Sequence, residues 1–188
     1  MISIFQSVTL DGVMQGLGRA DEDTRKGFTH GGWGNGYQDE VSMAFAGEGM
    51  AKEGSLLFGH RTYDDLVGWW IRNPEPNPFT EVLTNTRKYV VSRSADTTPA
   101  YPNSTLLVGE AVETVAQIEG DVMVLGSGEL VRSLHAAGLV DEYILLIHPI
   151  VLGSGTKLFG PGDRTNLSLQ RTIPTTTGVI IAQYAATR

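Results

Sequence analysis

Three short stretches of this 188-residue chain combine glycine, hydroxyl and cationic residues in a way that suits a phosphate. They are Phe58-Gly59-His60-Arg61-Thr62, Val91-Ser92-Arg93-Ser94 and Leu125-Gly126-Ser127-Gly128-Glu129. Glycine lets backbone N–H groups approach an anion closely. Arginine offers a planar fork to phosphate oxygens. Taken singly, Gly-Ser-Gly is commonly only a turn, and Arg61 or Arg93 only a solvated charge. Together, each closing an apolar run, they point to a nucleotide. Two familiar phosphate patterns are excluded. Gly126 and Gly128 fill the first and third positions of the dinucleotide fingerprint, but the sixth is Val131. Gly153-Ser154-Gly155-Thr156-Lys157 lacks the glycine spacing and the following hydroxyl of a P-loop.

A second group lies near the N-terminus. Asp11 follows the first apolar run and can orient a substrate or relay a proton. With Gly12 it is equally a turn pair. Between positions 12 and 36 lie eight of the chain's 23 glycines. Helices and strands do not tolerate that density, so the segment reads as a long loop. Loops of this length in a compact domain are usually lids or binding loops, and the rival is a floppy surface insertion. A lid is expected to be mobile when empty and ordered by its ligands. Trp33 and Tyr37 within or beside it either stack on a flat heterocycle or pin the loop to the core. His30, His60, His135 and His148 are scattered without metal spacing, so no metal is expected. His148, in an apolar run before Pro149, reads as structural.

The elements that must position these residues follow from periodicity. Residues 2–8, 55–58, 88–92, 104–108, 121–125 and 141–149 read as strands. Helices are expected over 38–52, 60–70, 110–118 and 129–137. In the third, Val112, Val115 and Ile118 should face inward. In the fourth, Leu130, Leu134 and Ala137 share a face, and Gly138 supplies a left-handed cap across which Leu139 meets Leu134. Residues 73–78 hold three prolines and read as a loop. Segments 167–173 and 178–184 alternate and should pair as a hairpin. Strands alternating with helices argue a largely parallel sheet, and the closing hairpin an antiparallel edge. No linker divides the chain, so a single domain over 1–188 is expected.

Composition narrows the classes. Hydrophobic residues are 41% and charged residues 19%, enough apolar material for a core. Acidic side chains outnumber basic ones 21 to 14, giving a net charge of -7. That lacks the footprint of a nucleic-acid binder but leaves room for a local basic pocket. With no cysteine there is no disulfide, thiolate metal site or cysteine nucleophile. Met1–Leu10 carries no basic n-region, and no stretch is long and apolar enough for a membrane span. A soluble cytoplasmic protein is the expectation.

Several blocks resemble one family. Ser7-Val8-Thr9-Leu10-Asp11-Gly12, Leu57-Phe58-Gly59-His60-Arg61-Thr62-Tyr63, Val90-Val91-Ser92-Arg93 and Val124-Leu125-Gly126-Ser127-Gly128-Glu129-Leu130 occur in this order. Ala137-Gly138-Leu139-Val140-Asp141-Glu142-Tyr143, Pro149-Ile150-Val151-Leu152-Gly153-Ser154-Gly155 and Leu158-Phe159 follow. The set resembles the dihydrofolate-reductase-like superfamily, in the branch of the riboflavin-biosynthesis reductase domain. The resemblance implies a three-layer α/β/α fold, mostly parallel with an antiparallel C-terminal hairpin, that binds NADPH. It implies that Gly59, Arg61 and Thr62 hold the adenine-side phosphates. Ser92 and Arg93 would meet the 2′-phosphate, and Gly126, Ser127, Gly128 and Glu129 would lie under the pyrophosphate. Asp11, Trp33 and Tyr37 would face a small-molecule substrate, and a homodimer is expected. The implied reaction is hydride transfer from NADPH to a planar C=N or C=O, with 5-amino-6-(5-phosphoribosylamino)uracil as the riboflavin-pathway substrate. A non-catalytic NADPH-binding module and a dimeric scaffold are the rivals. One departure bears on the substrate: the lysine that usually follows Asp-Gly is Val13 here, then Met14, which removes a natural cation for a phosphoribosyl group. Asp39, Glu40 and Glu48 are available as the acid that folate reductases use to grip a pterin, and none stands in a matching context.

Overall fold

A computed structural model describes residues 1–75 and 77–187. Pro76, inside the expected 73–78 loop, lies outside the described residues. The fold is mixed α/β, mostly parallel, with an antiparallel C-terminal hairpin, as expected. The chain gathers into two compact units, Met1–Ser3 with Met50–Val140 and Ile4–Gly49 with Asp141–Arg188.

In the first unit the strand order is β4-β3-β2-β5, with every pairing parallel. Here β2 is Ser55–Gly59, β3 Lys88–Ser92, β4 Ser104–Val108 and β5 Val122–Leu125. The centre of β2 is an unbroken apolar run, as a strand covered on both faces requires. Leu56, Phe58, Tyr63, Val67, Leu83 and Val90 form one buried cluster.

The expected helix after β2 is present but irregular. It begins as α2, His60–Thr62, widens into a π turn over Tyr63–Val67, and continues as α3, Gly68–Ile71. The fully buried Tyr63 hydroxyl donates to Ser104 Oγ at 2.9 Å and accepts from the Tyr101 N–H at 2.8 Å. Gly68 is required beneath this knot, because a Cβ there would overlap the Tyr101 hydroxyl.

A further helix, Pro78–Asn85, follows the proline-rich loop and was not expected. Asn77 caps it reciprocally: its side chain accepts from Thr80 N–H at 3.1 Å, and the Thr80 hydroxyl oxygen accepts from Asn77 N–H at 3.3 Å. Pro78 at the first helical position fits, since its missing N–H would have no intrahelical partner. At the far end, the fully buried Lys88 ammonium donates to the Leu83 and Thr86 carbonyls at 2.6 and 2.8 Å. This cation closes the helix C-terminus where the dipole favours positive charge.

The helix expected over 110–118 is shorter, Ala111–Val115. Five residues make little more than one turn, so only Val115 turns inward and Val112 faces solvent. The last helix of this unit, Gly128–Ala136, ends as expected. Leu139 N–H donates to the Leu134 carbonyl at 3.0 Å and Gly138 N–H to His135 at 2.9 Å, with Gly138 at φ +67.

In the second unit the order is β1-β6-β8-β7. The strands are β1 Ile2–Thr9, β6 Glu142–His148, β7 Leu167–Pro174 and β8 Ile180–Ala186. The expected hairpin is β7–β8, with a bulge between Leu169 and Arg171. Helix α1, Glu40–Met50, is tied to this hairpin at both ends. Asp39 Oδ1 accepts from Ser42 N–H at 2.8 Å, while Oδ2 accepts from the Thr176 N–H and hydroxyl at 2.6 and 2.7 Å. Glu48 pairs with Arg171 at 2.8 Å. Asp39 and Glu48 are therefore occupied by structure.

The glycine-rich segment is folded tightly on itself. Val13, Phe28 and Trp33 form a buried cluster with Leu17, Ile150 and Leu152 beside it. A Cβ at Gly16 or Gly155 would lie 2.9 or 2.7 Å from the Phe28 ring. At Gly31 it would overlap the Ala20 carbonyl oxygen. These glycines permit close approach, and slack hinges are not what the packing requires of them. No helix among the described residues is long and apolar enough to cross a membrane.

Two predictions follow the packing. Gly31→Ala should destabilise by about 1–3 kcal/mol through overpacking against fixed backbone. Gly47→Ala, in α1 with nothing within 4 Å of a new Cβ, should stabilise by up to about 1 kcal/mol through helix propensity. Denaturant melts showing equal, small effects would refute the contrast. The second concerns Lys88, whose burial pushes its ammonium from 10.5 down to about 8. Between those values the unfolded chain binds more protons, so this group's contribution to stability rises with pH and is flat below the folded value. Between about pH 7.5 and about pH 9.5 the wild type should gain stability relative to Lys88→Met. Parallel pH profiles for the two proteins would contradict it.

Candidate functional site

The turns after β2 and β5 meet because their strands are neighbours. Parallel pairing aligns Leu57 with Val124, so both chains leave the sheet at the same edge. There the Gly59 N–H donates to Ser127 Oγ at 2.8 Å. Ser127 sits just before the helix Gly128–Ala136, where a serine would ordinarily turn its oxygen onto the first turn. Its hydroxyl is used across the turn instead, and the helix starts without a side-chain cap. Neither does any side chain cap α2, whose N-cap residue is Gly59. First-turn N–H groups have no intrahelical partner, and uncapped they are ready donors for an anion.

Backbone conformation confirms that this turn is constrained. Ser127 adopts φ 68, ψ 62, a left-handed conformation that side chains other than glycine adopt at a cost of about 1–2 kcal/mol. Gly126 precedes it at φ +67, and a Cβ there would lie 3.3 Å from Thr62 Cγ2. Gly59, Thr62, Gly126, Ser127 and Gly128 are thus brought together. Arg61 and Glu129 stand exposed on the same two helical starts. Open backbone donors over a glycine surface fit the phosphates of a dinucleotide.

Ser92 and Arg93 lie one strand over, since Gly59 is in register with Val91 of β3. Ser92 in turn is aligned with Val108 of β4, and its carbonyl accepts from the Gly109 N–H at 3.0 Å. The Ser92 hydroxyl is 2.7 Å from Thr97 Oγ1 and accepts from Ser94 N–H at 3.2 Å. Arg93 Nε donates to Glu110 Oε1 at 3.1 Å. Both side chains are exposed, at 83% and 63%. Sequence spacing gave no hint of this pair, because it joins the ends of two different strands.

In the second unit Asp11 is a latch. Oδ1 accepts from the Thr9 hydroxyl at 2.6 Å and from Leu152 N–H at 3.2 Å, and Oδ2 from Gly153 N–H at 3.0 Å. The Thr9 hydroxyl, then the Gly153 and Leu152 amides, hold its pKa below the usual 3.8 despite desolvation. At neutral pH it is a carboxylate that accepts hydrogen bonds. Gln15 fastens the same region, its Oε1 accepting from Thr156 N–H at 2.9 Å and Oγ1 at 3.0 Å.

Trp33 and Tyr37 meet through a residue that the sequence did not connect to them. His148, 5% exposed, has Trp33 at 5.1 Å and Tyr37 at 5.2 Å between ring centroids, both edge-on. Its Nδ1 lies 3.1 Å from the Leu146 carbonyl. Burial pushes its pKa below 6.5, against the Leu146 and Val8 carbonyls, so the ring is neutral at pH 7. Trp33 is 7% exposed and its indole N–H donates to the Gln15 carbonyl at 2.7 Å. Tyr37 is partly exposed, and its carbonyl accepts from the Thr177 hydroxyl at 2.7 Å.

Comparison with known proteins gives the family and the fold. The family model of the RibD C-terminal domain matches residues 1–181. The uncharacterized protein YyaP of Bacillus subtilis (strain 168) is 32% identical over 139 residues, which cover 69% of this chain and 72% of that protein. Among solved structures, a putative riboflavin biosynthesis protein from Shewanella sp. PV-4 superposes with a TM-score of 0.70 at 18% identity, over 100% of this chain and 99% of the other. Dihydrofolate reductase from Enterococcus faecalis, complexed with NADP(H) and RAB-propyl, gives a TM-score of 0.62 at 13% identity, over 100% of this chain and 97% of the other. The chain belongs to the RibD C-terminal domain family, with a dihydrofolate-reductase-like fold.

Proposed function

We propose that this protein is an NADPH-dependent reductase of a small planar substrate with a C=N or C=O bond. The observation that carries the reading is the junction of β2 and β5, where Ser127 serves Gly59 and leaves two helix starts open to phosphate. Membership of a reductase family supports it, as does the NADP(H) bound by the Enterococcus faecalis relative of the fold. In this reading Gly59, Arg61 and Thr62 receive the adenine-side phosphates. Gly126, Ser127, Gly128 and Glu129 underlie the pyrophosphate, and Ser92 and Arg93 meet the 2′-phosphate. The nicotinamide ring supplies the hydride; the protein binds, orients and excludes water.

The substrate side rests on fewer residues. Asp11, already ionised by its hydrogen bonds, acts as an acceptor that orients a donor group. Tyr37, partly exposed beside His148, offers an aromatic face to a flat ring, while the buried Trp33 packs on the same imidazole and pins the loop. The position after Asp11-Gly12 holds the fully buried Val13, so the lysine usual there for a phosphoribosyl group is absent, although Lys157 pairs across from it. That favours an uncharged heterocycle or carbonyl compound over the riboflavin-pathway substrate.

The test of the cofactor assignment is Arg93→Ala. A charge-assisted contact to the 2′-phosphate contributes about 1.5–3 kcal/mol, so the variant should bind NADPH about tenfold or more weakly. NADH binding should stay nearly unchanged. Equal losses for both cofactors would sink the assignment. Loss of NADPH absorbance across a panel of pterins, pyrimidines and carbonyls identifies the substrate; tight NADPH binding with no oxidation across it would favour a cofactor sensor.

A further inference from the structure

The end of β4 places an acid where the cofactor reading puts a phosphate. Glu110 follows Gly109, whose N–H is bonded to the Ser92 carbonyl, so the acid stands beside Arg93 by strand register alone. Glu110 is the residue before the short helix Ala111–Val115, yet its side chain does not cap that helix. Its backbone carbonyl does the structural duty, accepting from Thr114 N–H and Thr114 Oγ1, both at 3.1 Å. The carboxylate is therefore spared for Arg93 Nε, at 3.1 Å.

Two consequences follow for a dinucleotide. A 2′-phosphate that takes Arg93 must displace or share the Glu110 carboxylate, and it carries about -1.5 to -2 charges of its own toward that acid. A 2′-hydroxyl is instead a donor, and a strand-end acid is a ready acceptor for it. Resting on the cofactor assignment above, we infer that Glu110 is a specificity-determining residue: by competing for Arg93 and accepting from a 2′-hydroxyl, it lowers the preference for NADPH over NADH. Both side chains are exposed, so the competition is modest and screened by salt.

The experiment is calorimetric binding of NADPH, NADH and 2′,5′-ADP to wild type, Glu110→Gln and Arg93→Ala at low ionic strength. Glu110→Gln keeps the backbone bonds to Thr114 and should melt like wild type. It should bind NADPH and 2′,5′-ADP about two- to fivefold more tightly, the range of an exposed ion pair, and NADH no more tightly. In a Glu110→Gln, Arg93→Ala double variant, compared with Arg93→Ala alone, the gain should shrink, leaving only the relief of direct repulsion between acid and phosphate. Unchanged or weaker NADPH binding by Glu110→Gln would overturn the inference, the weaker case showing that the acid orients Arg93. If wild type binds NADPH and Arg93→Ala binds it equally well, the inference also fails while cofactor binding survives. Wild type binding neither NADPH nor 2′,5′-ADP would overturn the cofactor assignment itself.

Discussion

The hydrogen bond from the Gly59 amide to the Ser127 hydroxyl couples two strand ends and decides how two helices begin. Ser127 takes part from a left-handed backbone at φ 68, directly after Gly126 at φ 67. The bond also removes the oxygen that would otherwise cap the following helix, a loss of about 1 kcal/mol. A local cost of this kind is what functional sites carry, offset by packing elsewhere. Here the offset lies directly behind the turn, where Leu57, Phe58 and Val124 are fully buried in parallel strands. The open donors are backed by this packed core, the kind of support that an anion site on this turn would need.

The second unit uses a different device. Its long loop is fastened by side chains that reach backbone amides and carbonyls: Asp11 to Leu152 and Gly153, Gln15 to Thr156, Trp33 to Gln15. A buried neutral imidazole, His148, fixes the two large aromatics from one side. Glycines at 16, 31 and 155 let these parts approach. The alternatives for Trp33 in the sequence were stacking on ligand or pinning the loop. Its burial and its bonded indole N–H give it the pinning role.

Much of this was legible in the sequence. Apolar runs ending in glycine located β2 and β5 and their turns, because strand burial and glycine turns both write themselves locally. The Gly138 cap and the C-terminal hairpin were equally local. Helix Pro78–Asn85 was missed because the surrounding prolines read as loop, although Asn77, Pro78 and Thr80 spell a helix start. Helix Ala111–Val115 was drawn too long because an apolar period continues past the point where the backbone stops. The Arg93–Glu110 pair and the His148 bracket were invisible, since each joins residues that only register or loop packing brings together. Asp11 was legible as important, and its role as a latch was not, because its partners lie about 140 residues away.

Where NADPH touches this protein decides whether these strand ends are its cradle. Amide resonances followed by NMR as NADPH is titrated in test this directly. The amides of Gly59, Gly126, Ser127 and Gly128 should shift together and saturate with the same affinity, with Ser92 and Arg93 responding to NADPH more than to NADH. Saturable binding that leaves the Gly59 and Ser127 amides unmoved would contradict the proposed cradle and, with it, the assignment of these strand ends to the cofactor.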